Sequence, residues 1–172
     1  MKYVPTLLAA GLAVVWQAGA VRAFEAADLE RLLRTNECAG CDLRGADLRY
    51  RDLSEANLQR ANLENANFYR AQLNDANLVG ANLAHANFGE ASVQASLLNL
   101  ADMSRSNLAY ADFTGASLYG AVLNETYLEE TVFVRALLAG ADMRQTKIIS
   151  ADFSDAILCG AEMSYGDYRQ DC

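Results

Sequence analysis

Histidine, basic clusters, glycine-rich loops and long apolar runs are all scarce in this sequence, and each shortage removes a class of function. The single histidine, His85, stands between Ala84 and Ala86. Without positioned partners it cannot serve a Ser-His-Asp system, and it reads as a solvated loop residue. No glycine-rich loop offers backbone N–H groups to a phosphate. No cluster of lysine and arginine offers a surface to nucleic acid. The longest apolar run, Leu7 to Trp16, is shorter than the roughly 20 residues a membrane span needs. The sequence therefore predicts no enzyme, no cofactor and no metal site.

What is abundant is a repeat. From Cys41 to Asp167 the chain keeps a five-residue period, as in Ala56-Asn57-Leu58-Gln59-Arg60 followed by Ala61-Asn62-Leu63-Glu64-Asn65. The central residue is large and apolar from Leu43, Leu48 and Leu53 through to Met163, with Tyr168 as a frayed last member. Two places earlier the residue is nearly always small, usually Ala. Such a period fits neither the 3.6 of a helix nor the 2 of a strand. On a helix, steps of five precess by about 140° and would scatter the leucines over every face. A chain that turns a corner in each unit can instead send one large and one small residue inward, and a fixed short repeat is the mark of a solenoid. Asp precedes the centre at positions such as Asp42, Asp47, Asp52, Asp102, Asp112, Asp142 and Asp152. Paired carboxylates can do acid–base work or hold calcium. Here Asp and Asn alternate freely, which predicts a hydrogen-bonding and solubility role.

A second layer of pattern sets the coil. Phe68 and Phe88 are 20 residues apart, as are Phe113, Phe133 and Phe153 in succession. Gly80, Gly120, Gly140 and Gly160 fall on the same grid, two places after a centre. Four units per coil would stack the phenylalanines in ladders and set the glycines at one corner, where positive φ is useful.

The Ala-(Asp/Asn)-Leu-x-x pattern resembles the pentapeptide-repeat proteins. The likeness extends over about three quarters of the chain. It implies an all-β solenoid, a right-handed, four-sided parallel β-helix, here about 30 Å long at roughly 4.8 Å per coil. The expected organisation is a signal peptide at 1–23, an N-terminal cap at 24–40, the β-helix at 41–168 and a tail at 169–172. Within the cap, Leu29, Leu32 and Leu33 have the spacing of one apolar helical stripe, to be laid on the first coil. The start of the chain, with Lys2, the apolar run and Val21-Arg22-Ala23, suits an export signal cleaved after Ala23. This predicts an exported protein without a stable membrane anchor, in a bacterial periplasm or a thylakoid lumen.

Four cysteines in an exported chain read as disulfides. Cys41 and Cys159 are 118 residues apart, about 28 Å along such a rod at 20 residues per coil. A disulfide needs Cα atoms within about 7 Å, so the pairing is local: Cys38 with Cys41, and Cys159 with Cys172. The same distance excludes one four-cysteine zinc site, and no βαβ context supports a thioredoxin-like motif at Cys38-Ala39-Gly40-Cys41. The segment from Leu32 to Leu43 also resembles the entrance of exported pentapeptide-repeat proteins, several of which carry a disulfide there.

Charge and one outward column bear on function. Without Lys2 and Arg22 the basic residues fall from 14 to 12 against 22 acidic ones, a net charge of −10. Such a rod repels nucleic acid and favours cationic partners. Some members of the resembled family mimic DNA and occupy DNA gyrase, as dimeric rods with a C-terminal dimerisation helix. This chain departs from them in its export signal, its length and the lack of a helical segment after the repeats. On the fourth face counted from Leu43, the position before the centre reads Asn57, Asn77, Leu97, Ser117, Leu137, Ile157, and Leu100 and Tyr119 lie beside it. An apolar patch of this kind predicts a protein partner. A second copy of the chain, another protein, or the tail ending at Cys172 are the candidates to cover it. The main expectation is an exported, non-enzymatic scaffold that binds a protein through one face. The alternative is an acidic DNA mimic acting on a topoisomerase.

Overall fold

The structure is a computed structural model that describes residues 26–164 and 166–168. The expected signal segment at 1–23 and the tail at 169–172 lie outside the described residues. The chain starts with α1 (Ala26–Thr35) and continues as a β-solenoid. Among the described residues no helix is long and apolar enough to cross a membrane.

Single-residue parallel pairings join residue i to i+20 in four columns, beginning Glu37↔Asn57, Asp42↔Asn62, Asp47↔Asn67 and Asp52↔Gln72. Among the described residues longer strands form only toward the C-terminal end: β1 (Tyr127–Glu129), β2 (Asp142–Met143), β3 (Lys147–Ile149) and β4 (Ala161–Met163). Here β1 pairs with β3, and β2 with β4, in the same parallel 20-residue register.

The five N–H groups of one unit show why this sequence folds this way. In the unit from Ala56, the Ala56 N–H closes a turn to the Leu53 carbonyl at 3.1 Å. Asn57 N–H donates to Asn36 O of the preceding coil, and Leu58 and Arg60 donate to Asn77 O and Val79 O of the next. The remaining donor, Gln59 N–H, is taken by the Asn57 side chain at 3.3 Å. Each coil therefore needs one side-chain acceptor per unit to complete its hydrogen bonding. Asp and Asn carry the same Oδ1 at the same place, so either serves: Asp52 accepts from Ser54, Asn82 from Ala84 and Asp102 from Ser104.

Inside, the central and small residues are fully buried from Leu43 to Met143. The phenylalanines stack as the 20-residue grid requires. Ring centroids are 4.7 Å apart for Phe68–Phe88, and 5.2 Å for both Phe113–Phe133 and Phe133–Phe153.

α1 closes the first coil. Leu32 is fully buried and Leu29 packs against the core, while Leu33 points outward at 43% exposure, so two of the three expected stripe residues face the coil. The helix ends where Asn36 adopts φ 55° and its N–H donates to Leu32 O at 2.9 Å, a left-handed C-terminal cap. The Asp28 carboxylate accepts the Asp42 N–H at 2.9 Å. A disulfide joins Cys38 to Cys41 with Cα atoms 5.3 Å apart.

The other end differs from the expectation. β5 (Gly166–Tyr168) runs antiparallel to β4, pairing Ala161 with Tyr168 and Met163 with Gly166. The parallel register thus ends at Met163, and Tyr168 is not a further coil centre. The five-residue pattern is blind to this reversal, because pattern alone does not say which neighbour a segment pairs with.

Candidate interaction surface

The fourth column is continuous: Asn57, Asn77, Leu97, Ser117, Leu137 and Ile157 pair in succession through five 20-residue steps. Leu97 is 43% exposed and Ile157 56%, while Leu137 is half-buried between its neighbours. Beside them Leu100 is 64% and Tyr119 55% exposed. The structure thus brings all five sequence-predicted residues onto one side of the solenoid.

These residues depart from the Asx hydrogen-bonding rule, as Val122, Tyr127, Val132 and Lys147 do in the other columns, and the first apolar departure is Leu97, in the fourth column. Asn77 accepts the Val79 N–H at 3.2 Å. Leu97, Leu137 and Ile157 have no side-chain acceptor to offer their units. Ser117 is compensated from the coil before it, where Asn99 Oδ1 accepts both the Ser117 hydroxyl at 2.5 Å and the Tyr119 N–H at 3.1 Å. Ser92 is served by Asn74 in the same way.

One glycine of this corner, Gly120, also has a second reason to be there. Gly80, Gly120, Gly140 and Gly160 have φ between 63° and 69°, but so do non-glycine corners such as Arg60 at 55° and His85 at 61°. Backbone conformation alone does not select them. At Gly120 a Cβ would meet Leu100 Cδ2 at 2.9 Å, so the missing side chain gives Leu100 its seat. From Asn77 to Gly160 the units of this side contain no charged residue at all, in a chain that is 21% Asp, Glu, Lys and Arg.

The second column carries a feature the sequence reading missed. Tyr50 and Tyr69 meet edge to face with centroids 5.8 Å apart, and Arg70 lies 5.1 Å from the Tyr69 ring centre. The Tyr69 hydroxyl donates to Glu90 at 2.6 Å, and Arg70 donates to the other Glu90 oxygen at 2.7 Å. Both bonds hold the Glu90 carboxyl below its usual range, the Tyr69 bond most, and the same bond raises the Tyr69 phenol. Two coils further, the Tyr127 and Tyr110 hydroxyls both donate to Glu129 and lower it. The signal was present as Tyr and Glu one coil apart, but it becomes visible only when the side chains at adjacent positions of neighbouring coils are compared. These carboxylates are engaged in structural bonds.

Asp28, Cys38 and Cys41 converge closely enough for a metal. The two sulfurs are joined to each other, so neither is a thiolate ligand. Arg31 reaches Asp28 at 3.5 Å and Cys41 Sγ at 2.6 Å, filling the same space with a cation. Cys159 is disulfide-bonded, and Cys172, its expected partner, lies outside the described residues. His85 is an exposed corner residue.

No curated protein matches the chain. Among solved structures it is similar to HetL, a pentapeptide repeat protein involved in heterocyst differentiation regulation from the cyanobacterium Nostoc sp. strain PCC 7120, at 31% identity over 76% of this chain and TM-score 0.40. It spans 65% of the length of that protein. It is also similar to a pentapeptide repeat protein of the Arabidopsis thaliana thylakoid lumen, at 27% identity over 60% of this chain and 68% of the other, TM-score 0.36. QnrB1, a plasmid-mediated fluoroquinolone resistance protein, shares 18% identity over 76% of this chain and 71% of its own, TM-score 0.44. The sequence itself matches the family description of pentapeptide repeats, in 8 copies, over residues 41–78, 52–89, 86–124 and 126–164. With this repeat match over most of its length, the chain belongs to the pentapeptide-repeat family.

Proposed function

We propose that this protein is an exported, non-enzymatic scaffold, a right-handed and four-sided β-helix that binds another protein through its fourth column. The observation that carries this reading is the exchange at Leu97, Leu137 and Ile157. Each replaces a residue type that completes the hydrogen bonding of its unit with one that cannot, and each adds apolar surface where water must solvate it. A lost hydrogen bond and exposed apolar area are both unfavourable in the free chain, by about 0.5–1.5 kcal/mol and about 25 cal/mol per Å² respectively. A covering partner recovers the second term. The disulfide at Cys38–Cys41 supports an oxidising compartment, and a periplasm or thylakoid lumen provides one. An acidic rod acting on a topoisomerase draws support from the net charge of −8 of the whole chain. It does not account for an uncharged apolar column.

Site-specific photo-crosslinking tests the reading. A crosslinking residue at Leu97 in the exported protein is expected to give a discrete adduct with a second polypeptide, and one at Ala84, on the first column's side, is not. Equal labelling from both positions, or none from Leu97, would overturn it.

A further inference from the structure

The fourth column has a rim as well as a centre, and the rim is acidic. On the side where the chain enters the column stand the corner residues Asp75, Arg135 and Asp155; on the side where it leaves stand Asp102, Asp142 and Glu162. Arg144 lies beyond them, bonded to Asp142 at 2.7 Å and to Glu162 at 3.1 Å. An uncharged strip of Leu97, Leu100, Tyr119, Leu137 and Ile157 is thus edged mainly by carboxylates, with Arg135 the one cation at the entering corner; among the described residues Asp75, Asp102 and Asp155 form no ion pair with an arginine. A second copy would bring the same acidic rim against this one, and like charges across an interface are disfavoured.

Size points the same way. From Asn77 to Ile157 the column rises four coil steps, about 19 Å, and one side of the coil is about 10 Å wide. Such a strip offers about 200 Å², against the roughly 800 Å² per partner of a stable protein–protein interface. It is the right size for one helix: about 19 Å is about 13 residues at 1.5 Å each, and a helix is about 10 Å across. The relief fits as well. Leu97, Leu100 and Tyr119 are exposed, with Leu100 lying over Gly120, and at Gly140 and Gly160 nothing lies within 4 Å of the place a Cβ would take, so a cylinder can approach the backbone closely there.

We propose that the fourth column receives a single amphipathic helix of a partner protein, about 13 residues long, whose apolar stripe is flanked by lysine or arginine. This rests on the reading of the column as a protein-binding surface and names the chemistry of its partner. The apolar stripe covers Leu97, Leu137 and Ile157, and the flanking cations meet Asp75, Asp102 and Asp155. Binding is therefore expected to weaken with salt, since the rim charges are solvent-exposed or half-exposed.

The test uses the full exported chain and three fluorescent synthetic peptides: a helix with a leucine stripe and lysine flanks, the same helix with glutamate flanks, and a scrambled peptide of the lysine composition. By anisotropy the lysine helix is expected to bind at least about tenfold more tightly than either control, a difference of about 1.4 kcal/mol. The variant Leu97→Asn, Leu137→Asn, Ile157→Asn is expected to lose at least about tenfold in affinity. The variant Asp75→Asn, Asp102→Asn, Asp155→Asn keeps the Oδ1 acceptor at residue 102, so the fold is preserved, and is expected to lose affinity and most of its salt dependence. Equal binding of the scrambled or glutamate peptide, or an unchanged affinity in the apolar triple variant, would overturn the proposal. Concentration-dependent dimers in sedimentation that the same triple variant abolishes would overturn it in favour of a second copy. A Leu97 adduct without lysine-helix binding rejects this partner chemistry alone, whereas failure of both rejects the surface as well.

Discussion

The two ends of the solenoid meet the same physical problem with different success. At the N-terminal end α1 lays Leu29 and Leu32 over the first coil, and Leu43, Leu48 and Leu53 are fully buried. At the C-terminal end Ile148, Phe153, Leu158 and Met163 remain only partly buried, although they occupy the same central positions. All are large and apolar; what differs is the cover over them. A coil in a solenoid is stabilised by the coil on each side of it; α1 gives the first coil ten residues of helix to pack against, whereas the parallel register ends at Met163. The N-terminal end is further tied by the Cys38–Cys41 disulfide and by Asp28 on the Asp42 N–H.

This contrast can be sharpened by substitution. Phe113 and Phe153 both stack on Phe133 in one ladder, but Phe113 is fully buried and Phe153 only partly so. Phe113→Ala is expected to cost about 3–5 kcal/mol in urea unfolding, and Phe153→Ala no more than about half of that. Equal losses would show that the end coil is as well covered as the middle. Overpacking gives the same comparison on the small residues. Ala76 is fully buried, so Ala76→Leu is expected to cost about 1–3 kcal/mol, whereas Ala156→Leu, in the half-buried last coil, should fall below that range.

A smaller effect tests the N-terminal end alone. Replacing Cys38 and Cys41 together by Ser removes a very short loop closure, worth about 2 kcal/mol by the chain-entropy relation. Hydrogen exchange is expected to speed up in α1 and at Leu43 while the amides around Phe113 keep their protection. A uniform loss across the rod would mean that the two ends are not separately stabilised.

The smallest expected effect is on acid stability. The Asp47 carboxyl is lowered from 3.8 to about 2, mainly by its hydrogen bonds from the Arg49 guanidinium and N–H. A carboxyl lowered by folding contributes stability above its unfolded value and loses it as the pH falls through the folded one. The contribution is therefore intact above about pH 4 and gone near pH 2. Asp47→Asn keeps the Oδ1 acceptor but not the charge, so its melting temperature should fall less between pH 4 and pH 2 than that of the parent. Parallel curves for the two proteins would assign the acid sensitivity to other groups, such as Asp142, which Arg144 lowers at the opposite end.

Much of this was legible in the sequence because the repeat ties each residue to its inward or outward position. The Phe grid gave the 20-residue register before any coordinate, and the small residue two places before each centre gave the narrow core. The fourth column was legible too, since Leu97 stands out against Asn57 and Asn77 once the grid is drawn. Three things were not. The reversal at β5 depends on which neighbour a segment pairs with, and Gly166–Tyr168 keeps enough of the pattern to read as another coil. The outward turn of Leu33 depends on how α1 rolls on the first coil. The Tyr–Glu contacts of the second column depend on side-chain reach between adjacent positions of two coils, which a count of equivalent positions does not register.

The central claim is that Leu97, Leu137 and Ile157 serve a surface rather than the fold, and the triple variant to Asn measures it most directly. Asn at these positions restores the acceptor that units such as Asn77–Val79 possess. The account predicts a melting temperature equal to or above that of the parent, together with loss of the Leu97-side association. A variant that melts well below the parent while its association is unchanged would contradict it, because the apolar column would then belong to the packing of the solenoid itself.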